Sequence, residues 1–381
     1  MSGFRIFKDP ESLGFSSKNL GEAYEILGKA VKEGRIMGAS IQVARRHGSL
    51  EPVAFGKRRL EPDAPPVEGD TIFLTASVTK PVTATAVMKL IEGGKLCLDD
   101  HVASFIPEFT GRWKEGVLIR HLLTHTSGLP DMLPENIELR RRHADLDEFL
   151  ERIYKVPLLF EPGTNISYQS CGIALLGEIV KRLTGIPLAE FMRREIFVPL
   201  GMEDSSLGVD WRKASRVSQV NIPKESFEYG SLSDDWNWNS PYWWGFGAPW
   251  GGMFSTASDL TRFLMMFLNE GRLGSSRVLS PRTVRIMTSN QTILMPLIKE
   301  DVKRSNPWGL GWRLKAYGSL DWGFGDLVSS RTFGHIGATG TMIWADPETN
   351  LACTVLTNQP DIDRRILSRF SNALLASVIE S

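Results

Sequence analysis

The chain has 381 residues, which exceeds one ordinary domain core, so we expect one large domain or two interleaved domains. Hydrophobic residues make up 42% and charged residues 23%, the balance of a soluble globular protein. The 44 basic and 44 acidic residues cancel, so no global field favours nucleic acid or an anionic membrane as a partner.

Targeting signals and cysteine usage suggest a compartment. Residues 1–11 contain no apolar stretch of the kind that a secretory signal needs, and no apolar run approaches membrane-spanning length. The three cysteines, Cys97, Cys171 and Cys353, are widely spaced, and we expect them to be small buried apolar residues in a reducing compartment. The sequence therefore predicts a cytoplasmic protein with no membrane partner.

The first predicted elements are a helix and a hairpin. Apolar residues recur on one helical stripe over residues 20–33. Residues 40–46 then alternate, turn at Gly48 and continue through residues 52–55, a pattern that predicts a β-hairpin.

Helices are predicted through the middle of the chain. An extended segment at residues 72–75 leads into residues 82–91, which are apolar nearly all round and predict a buried helix that ends at Gly93 and Gly94. Further helical patterns include residues 173–183 and 188–197.

Strand patterns return late. Residues 256–259 carry a capping signal before an apolar helical stripe. Strand-like runs follow at residues 331–333, 341–345 and 351–356, and a final helix is predicted over residues 363–379. Strands at both ends with helices between them predict one α/β domain closed by both termini and holding a helical insert.

The first candidate for chemistry is Ser77-Val-Thr-Lys80, the only S-x-x-K sequence in the chain, although chance alone should give about one match. Positions i and i+3 share one helix face, so Lys80 Nζ can approach Ser77 Oγ. A helix N-terminus favours developing negative charge, and an amine shielded from water can act as a base. The alternative is that Ser77 caps the helix and Lys80 points to water.

A second candidate is Tyr168-Gln-Ser170, just before the helix predicted at residues 173–183. A loop tyrosine beside a cation can act as an acid or base. The same Y-x-S pattern occurs at Tyr229 and Tyr317, and the alternative for Tyr168 is a half-buried packing residue.

A third candidate is Gly334-His335-Ile336-Gly337-Ala338, which precedes a strand-like run. Glycines there let a ligand approach a strand edge, and the Ala338 N–H can serve as an oxyanion donor. The alternative is a strand-to-turn bend with an exposed histidine.

Between Trp236 and Trp250 lie seven aromatic residues beside prolines and glycines. They favour an aromatic pocket wall, or equally an ordinary core under a long loop.

Other chemistries lack their motifs. No G-x-S-x-G nucleophile elbow occurs in the chain. His121 and His125 have zinc-helix spacing, but Leu122 stands where the glutamate is needed, so both are interpreted as structural, with His125 in a turn. C-x-x-C, phosphate-loop and dinucleotide fingerprints are also absent from the sequence. We predict no metal and no cofactor.

Taken together, these motifs resemble the serine β-lactamase and penicillin-binding-protein superfamily, most closely its class C-like branch, which includes family VIII carboxylesterases. The order agrees, with S-x-x-K at Ser77, Y-x-[NS] at Tyr168 and a K-T-G equivalent at His335. The resemblance covers roughly residues 20–375. Further strings typical of the branch begin at Ile119 (IRHLLTHTSGLP), Glu161 (EPGTNISY), Pro199 (PLGM) and Gly251 (GGMFSTASDL).

The resemblance implies a role for each residue. Ser77 would attack the substrate carbonyl and become acylated, while Lys80 and Tyr168 would share the proton relay. The N–H groups of Ser77 and Ala338 would form the oxyanion hole. Contacts to substrate would come from Ser170, His335, Gly337 and Trp250.

Two departures from the family pattern bear on the substrate. His335 replaces the lysine of K-T-G, and Ile336 replaces its threonine. A mostly neutral histidine beside an isoleucine offers less charge and no hydroxyl, which weakens anion recognition and favours neutral esters.

We therefore expect a β-lactamase-like α/β (α+β) fold, an antiparallel sheet flanked by helices plus an inserted helical subdomain. Residues 1–90 and 220–381 would form the α/β part, residues 91–219 the helical part, and the site would lie in the cleft between them. The predicted function is hydrolysis of small carboxylic esters through a Ser77 acyl-enzyme.

Three alternatives stay open: hydrolysis of β-lactams or D-amino-acid peptides, acyl transfer to an alcohol, and a non-catalytic binding role on this fold. The expected partner is a small-molecule ester or amide, without nucleic acid. The sequence does not define an oligomeric state.

Overall fold

The computed structural model of the chain describes residues 4–223, 230–316 and 322–379. Its helices are α1 Ser17–Lys32, α2 Thr79–Glu92, α3 Val102–Phe105, α4 Ile119–Leu123, α5 Asn136–Arg141, α6 Leu146–Lys155, α7 Cys171–Thr184, α8 Leu188–Met192, α9 Val198–Leu200, α10 Pro241–Phe246, α11 Ala257–Leu268, α12 Pro281–Met287, α13 Glu300–Ser305 and α14 Arg364–Ala376. Its strands are β1 Arg5–Phe7, β2 Gly38–Arg45, β3 Gly48–Leu50, β4 Val53–Gly56, β5 Phe73–Leu74, β6 Ser206–Leu207, β7 Met253–Ser255, β8 Arg272–Leu273, β9 Ser276–Arg277, β10 Arg313–Leu314, β11 Phe333–Gly337, β12 Thr341–Asp346 and β13 Leu351–Thr357.

The central sheet combines strands from early and late in the chain. Its order is β1-β3-β2-β13-β12-β11-β10, with β4 also paired to β2. Neighbouring strands are antiparallel, except that β1 and β3 are parallel at one edge. The long β13–β2 ladder joins the two parts, from Leu351 opposite Arg45 to Thr357 opposite Ala39. The predicted α/β fold with an antiparallel-rich sheet is confirmed.

Helices cover both faces of this sheet. Successive residues of a strand point to opposite faces. On β13, Cys353 and Val355 therefore pack in the cluster that contains α1 and α14, whereas Ala352 and Leu356 pack in the cluster that contains α11. Because both faces are covered, β2, β12 and β13 are buried along their whole length.

The helix that carries the S-x-x-K lysine lies in the core. Residues 79–88 of α2 are all buried, and α2 contacts α7 and α8 of the helical region. The helix ends at Glu92 with Gly93 as its C-cap, and Gly94 takes a φ of +65°, which favours glycine. The predicted buried helix is therefore confirmed, with its start at Thr79 rather than at residue 82.

Two predicted elements differ in the structure. Residues 188–197 do not form one helix: α8 passes into a π-helical segment, Arg193–Phe197. Pro199 follows at once, and its missing N–H disrupts the α-helical ladder. The strand predicted at residues 331–333 instead runs over Phe333–Gly337, where it pairs with β12, so the histidine motif lies within a strand.

The cysteine prediction was wrong in part. Cys171 and Cys353 are buried, but Cys97 is exposed because it lies in the loop after α2, outside the packed elements. In the described ranges, no helix combines the length and the apolar character needed to cross a membrane. Residues 91–219 hold α3 to α9 and the short strand β6, and the subdomain boundaries near residues 90 and 220 stay a prediction.

Candidate active site

Ser77 lies in a short 3-10 turn between β5 and α2. The preceding Ala76 has a φ of +45°, a left-handed conformation that strains a residue with a Cβ. Hydrogen bonds hold the turn, from Thr79 Oγ1 to the Ala76 carbonyl at 2.7 Å and from Thr75 Oγ1 to the Met253 carbonyl at 3.0 Å. This sharp turn at the start of α2 leaves the Ser77 side chain half-buried at a cavity wall rather than in the core.

Lys80 is fully buried and points to Ser77. Its Nζ donates to Ser77 Oγ at 2.9 Å and to the Trp250 carbonyl at 3.0 Å. It forms no ion pair with any carboxylate of the described chain, although buried lysines usually need one. The alternative in which Lys80 points to water is wrong, and the i, i+3 spacing brings the amine to the hydroxyl as expected.

Tyr168 is a half-buried loop residue beside this pair. The Lys80 Nζ lies 4.7 Å from the centroid of its ring, and the His125 ring centroid lies 4.7 Å away. The loop is fixed from behind, since the Gln169 N–H donates to His125 Nδ1 at 3.1 Å. His125 therefore packs against Tyr168, although the sequence suggested only a role in a turn.

Ala338 follows β11 at the other side of Ser77. The turn is tied to the strand that precedes Ser77, because Thr339 Oγ1 donates to the Leu74 carbonyl at 2.7 Å and Thr341 Oγ1 donates to the Thr75 carbonyl at 2.8 Å. Ala338 is exposed, and its N–H makes no backbone hydrogen bond with a described residue. It is thus available to an oxyanion.

Gly337 permits this close approach. A Cβ at residue 337 would lie well under 3.0 Å from the Thr75 carbonyl oxygen and 3.2 Å from the Ala76 Cβ. The strand β11 could not lie against the Ser77 segment if residue 337 had a side chain.

His335 lies elsewhere than the sequence suggested. Its imidazole is fully buried, so the alternative of an exposed histidine is wrong. Its Nδ1 donates to the Ile336 carbonyl at 2.8 Å, and its ring centroid lies 6.2 Å from that of Tyr168. Burial, with the positive charge of Arg313, holds the pKa of His335 well below its usual value, so the ring is neutral.

Two cavities meet at Ser77, and His335 lines neither of them. The tryptophan cavity, about 160 Å³, is lined by Trp238, Trp243 and Trp250 together with Ser77, Asp131, Asn136, Arg140, Tyr168, Ser170 and Ala338, among others. The strand-edge cavity, about 300 Å³, is lined by Ser77, Tyr168, Arg313, Ile336, Gly337, Ala338 and Arg364, among others. Ser77, Tyr168 and Ala338 line both cavities and therefore lie at their junction.

The tryptophan cavity accounts for two further predicted residues. Trp250 lines it, and the Trp250 carbonyl accepts a hydrogen bond from Lys80 Nζ. Ser170 donates from Oγ to Asp131 at 2.7 Å and is nearly buried, so in this structure it bonds neither Lys80 nor the tyrosine. The aromatic stretch thus serves as a pocket wall and as core at once.

Sequence reasoning missed Arg313 and Trp308, whose side chains lie beside the Tyr168 ring. The signal available was Trp308-Gly-Leu-Gly-Trp-Arg313, where a cation follows a glycine-rich apolar run at the start of a strand. The other Y-x-S tyrosines, Tyr229 and Tyr317, lie outside the described residues.

Residues 25–376 match the family model described as Beta-lactamase. A protein of Escherichia coli O157:H7 named "Putative D-alanyl-D-alanine carboxypeptidase" is 28% identical over 382 residues, covering 92% of this chain and 85% of that protein. Esterase EstB of Burkholderia gladioli is 38% identical over 212 residues, covering 51% of this chain and 54% of that protein.

A solved structure, "Crystal structure of a family VIII carboxylesterase", is similar with a TM-score of 0.77 at 21% identity, covering 96% of this chain and 99% of that chain. At this identity the likeness shows the fold alone. The resemblance to the β-lactamase and penicillin-binding-protein superfamily is confirmed.

Proposed function

Because the chain belongs to the Beta-lactamase family, whose members are serine hydrolases, we propose that it hydrolyses small carboxylic esters through an acyl-enzyme on Ser77. The observation that carries the proposal is the 2.9 Å hydrogen bond between Lys80 Nζ and Ser77 Oγ, with the lysine fully buried. A buried amine with no carboxylate partner in the described chain is suited to remove the proton of an adjacent nucleophile.

Acylation uses the junction of the two cavities. Ser77 Oγ attacks the ester carbonyl and transfers its proton to Lys80 Nζ. The carbonyl oxygen becomes an oxyanion that accepts hydrogen bonds from the N–H groups of Ser77 and Ala338. Tyr168 gives its proton to the leaving alcohol as the ester C–O bond breaks, and Lys80 returns a proton to Tyr168.

Deacylation reverses the same relay. Water enters where the alcohol left and gives a proton to Tyr168, which passes its own proton to Lys80, and the hydroxide attacks the acyl carbon. The tetrahedral intermediate collapses, the carboxylic acid leaves and Ser77 regains its proton. The same two residues serve in both halves because each returns to its starting protonation state at the end of each half.

Two features favour esters among the possible acyl substrates. The neutral, buried His335 and the apolar Ile336 stand where related enzymes carry a lysine and a threonine, and the tryptophan cavity suits a short apolar acyl chain. A relative of 38% identity over half of the chain is named an esterase. A small-molecule substrate and a cytoplasmic location belong to the same proposal.

A second candidate is hydrolysis of D-alanyl peptides. It is favoured by the Escherichia coli relative, whose name gives that activity and whose match covers 92% of this chain. Release of D-alanine from a short D-alanyl-D-alanine peptide, or turnover of nitrocefin, would show that the same site accepts amides.

The esterase proposal is tested with p-nitrophenyl butyrate and three proteins: the natural sequence, Ser77→Ala and the matched control Ser104→Ala, an exposed serine on α3. We expect turnover by the first and third proteins and a loss of about a thousandfold or more in kcat for Ser77→Ala. Full activity of Ser77→Ala would refute the proposal.

A further inference from the structure

A buried arginine forms part of the wall of the strand-edge cavity. Arg313, on β10, is only 7% exposed and lines this cavity together with Ser77 and Tyr168. A buried guanidinium normally has an acid as a partner, because removing a charge from water is costly. The surroundings of Arg313 are therefore informative.

Arg313 has no acid partner. Within the described chain its guanidinium makes neither an ion pair nor a hydrogen bond, and its Nε is buried without an acceptor. Its neighbours are aromatic instead: the guanidinium carbon lies 3.6 Å from the ring centroid of Trp322, 4.5 Å from that of Trp308 and 5.0 Å from that of Tyr168. Cation–π contacts offset part of the desolvation and leave the N–H donors unused.

Other charges near this cavity do not neutralise Arg313. Arg364 is a second cation at the rim, and Asp361 is an exposed carboxylate among the lining residues. Burial lowers the pKa of Arg313 to about 10, so the group is charged at neutral pH. Lys80 Nζ is already hydrogen-bonded to Ser77 and to the Trp250 carbonyl, whereas the donors of Arg313, in the part of the chain that the structure describes, are unused.

The position of Arg313 offsets the departure noted in the sequence. In the β10–β11 pair Arg313 lies opposite Gly334, next to His335. A neighbouring strand thus brings a positive charge close to the place where the family motif has lost its lysine. Guanidinium also matches a carboxylate better than an amine does, since it can donate two parallel hydrogen bonds.

We propose that Arg313 binds a carboxylate carried by the alcohol portion of the substrate, so that esters with an anionic leaving group are preferred over neutral ones. The inference rests on the proposed Ser77 esterase function and narrows its substrate class. Arg313 contacts the ring of Tyr168, which protonates the leaving alcohol in that mechanism. The tryptophan cavity, on the other side of Ser77, is left for the acyl chain.

The test compares 3-carboxyphenyl butanoate with its neutral isostere, 3-carbamoylphenyl butanoate, each kcat/KM being divided by the ester's own rate of alkaline hydrolysis. The natural protein should prefer the carboxylate by about 10- to 100-fold, the value of a charge-assisted hydrogen bond in a desolvated site. Arg313→Gln should bring the ratio near one. Arg313→Lys should leave an intermediate ratio, and Arg282→Gln, an exposed arginine on α12, should keep the natural ratio.

The outcomes separate the two proposals. Hydrolysis of neither ester would refute the esterase function and this inference with it. Hydrolysis of both esters with a ratio near one in the natural protein would overturn the Arg313 assignment alone. A natural ratio that survives Arg313→Gln would do the same. If Arg313→Gln shows no cooperative thermal unfolding transition and so is not folded, Arg313→Lys decides, because a ratio equal to the natural one there would overturn the assignment of the preference to the Arg313 guanidinium.

Discussion

Gly337→Ala is the sharpest perturbation of the proposed oxyanion hole. Gly337 directly precedes Ala338, and the carbonyl of Thr75 that it touches lies two residues before Ser77. An added Cβ would lie well under 3.0 Å from that carbonyl oxygen, which belongs to the backbone and cannot rotate away as a flexible side chain would. The strand and the Ser77 turn must therefore separate.

The magnitude follows from the required movement. Restoring an ordinary carbon–oxygen contact needs a shift of roughly 1 Å. A misplacement of about 1 Å between reacting groups costs on the order of 100-fold in rate, or about 2.7 kcal/mol in the activation barrier. Overpacking of this kind also lowers the free energy of unfolding by about 1–3 kcal/mol, which lowers Tm by about 1–4 °C in a chain of this size.

The assay is steady-state hydrolysis of p-nitrophenyl butyrate together with thermal denaturation. We expect Gly337→Ala to lower kcat about 100-fold with little change in KM, because oxyanion donors act mainly on the transition state. The matched control is Gly21→Ala on α1, where nothing lies within 4 Å of the new Cβ. It should keep full activity and gain about 0.5–1 kcal/mol in stability. Natural kcat and Tm in Gly337→Ala would refute the reasoning.

Three further predictions concern buried ionisable side chains. Burial holds the pKa of His125 and His335 well below the usual value and that of His121 at about 4, so only the unfolded chain gains their protons as the pH falls below about 6.5. Urea denaturation should show that the free energy of unfolding falls by about 3 kcal/mol between pH 7.5 and pH 5.5. This net value already includes the smaller, opposite effect of Asp259, whose raised pKa stabilises the fold as the pH falls. Equal stability at both pH values would contradict the prediction. Burial raises the pKa of Asp259 to about 6, so its contribution to stability is present below pH 4 and lost as the pH rises through 6. Asp259→Asn should therefore raise the free energy of unfolding by about 1–3 kcal/mol at pH 8 but not at pH 4. A variant that is less stable than the natural protein at pH 8 would contradict this prediction. Lys80→Met should lower kcat about a thousandfold while Tm holds or rises, because a buried amine without a carboxylate partner in the described chain is replaced by an apolar side chain of similar length; a large fall in Tm would show that the hydrogen bonds of Lys80 stabilise the fold.

The central features of the site could be predicted because they are local in sequence. The spacing of Ser77 and Lys80 fixes their relative position once α2 forms, and no tertiary information is needed. Tyr168 could be placed only through the order of motifs along the chain, which matches a known family. The structure brings Tyr168 beside Lys80, as that order implied.

What the sequence could not reveal depends on strand register and backbone conformation. Arg313 reaches the site only because β10 pairs with β11. Since β10 has only two residues, no local sequence pattern predicts this pairing. The left-handed φ of Ala76 falls on a residue type that rarely adopts it, so the sharp turn before Ser77 had no signature. His335 was expected at the substrate, yet the alternation of β11 places its side chain in the core behind Tyr168.

The most direct test of the account is intact-protein mass spectrometry after incubation with an active-site phosphonate, followed by peptide mapping. We expect a single adduct on Ser77, complete loss of p-nitrophenyl butyrate turnover in step with its formation, and no adduct in Ser77→Ala. An adduct on another residue, or turnover that persists in the fully modified protein, would contradict the claim that Ser77 is the nucleophile.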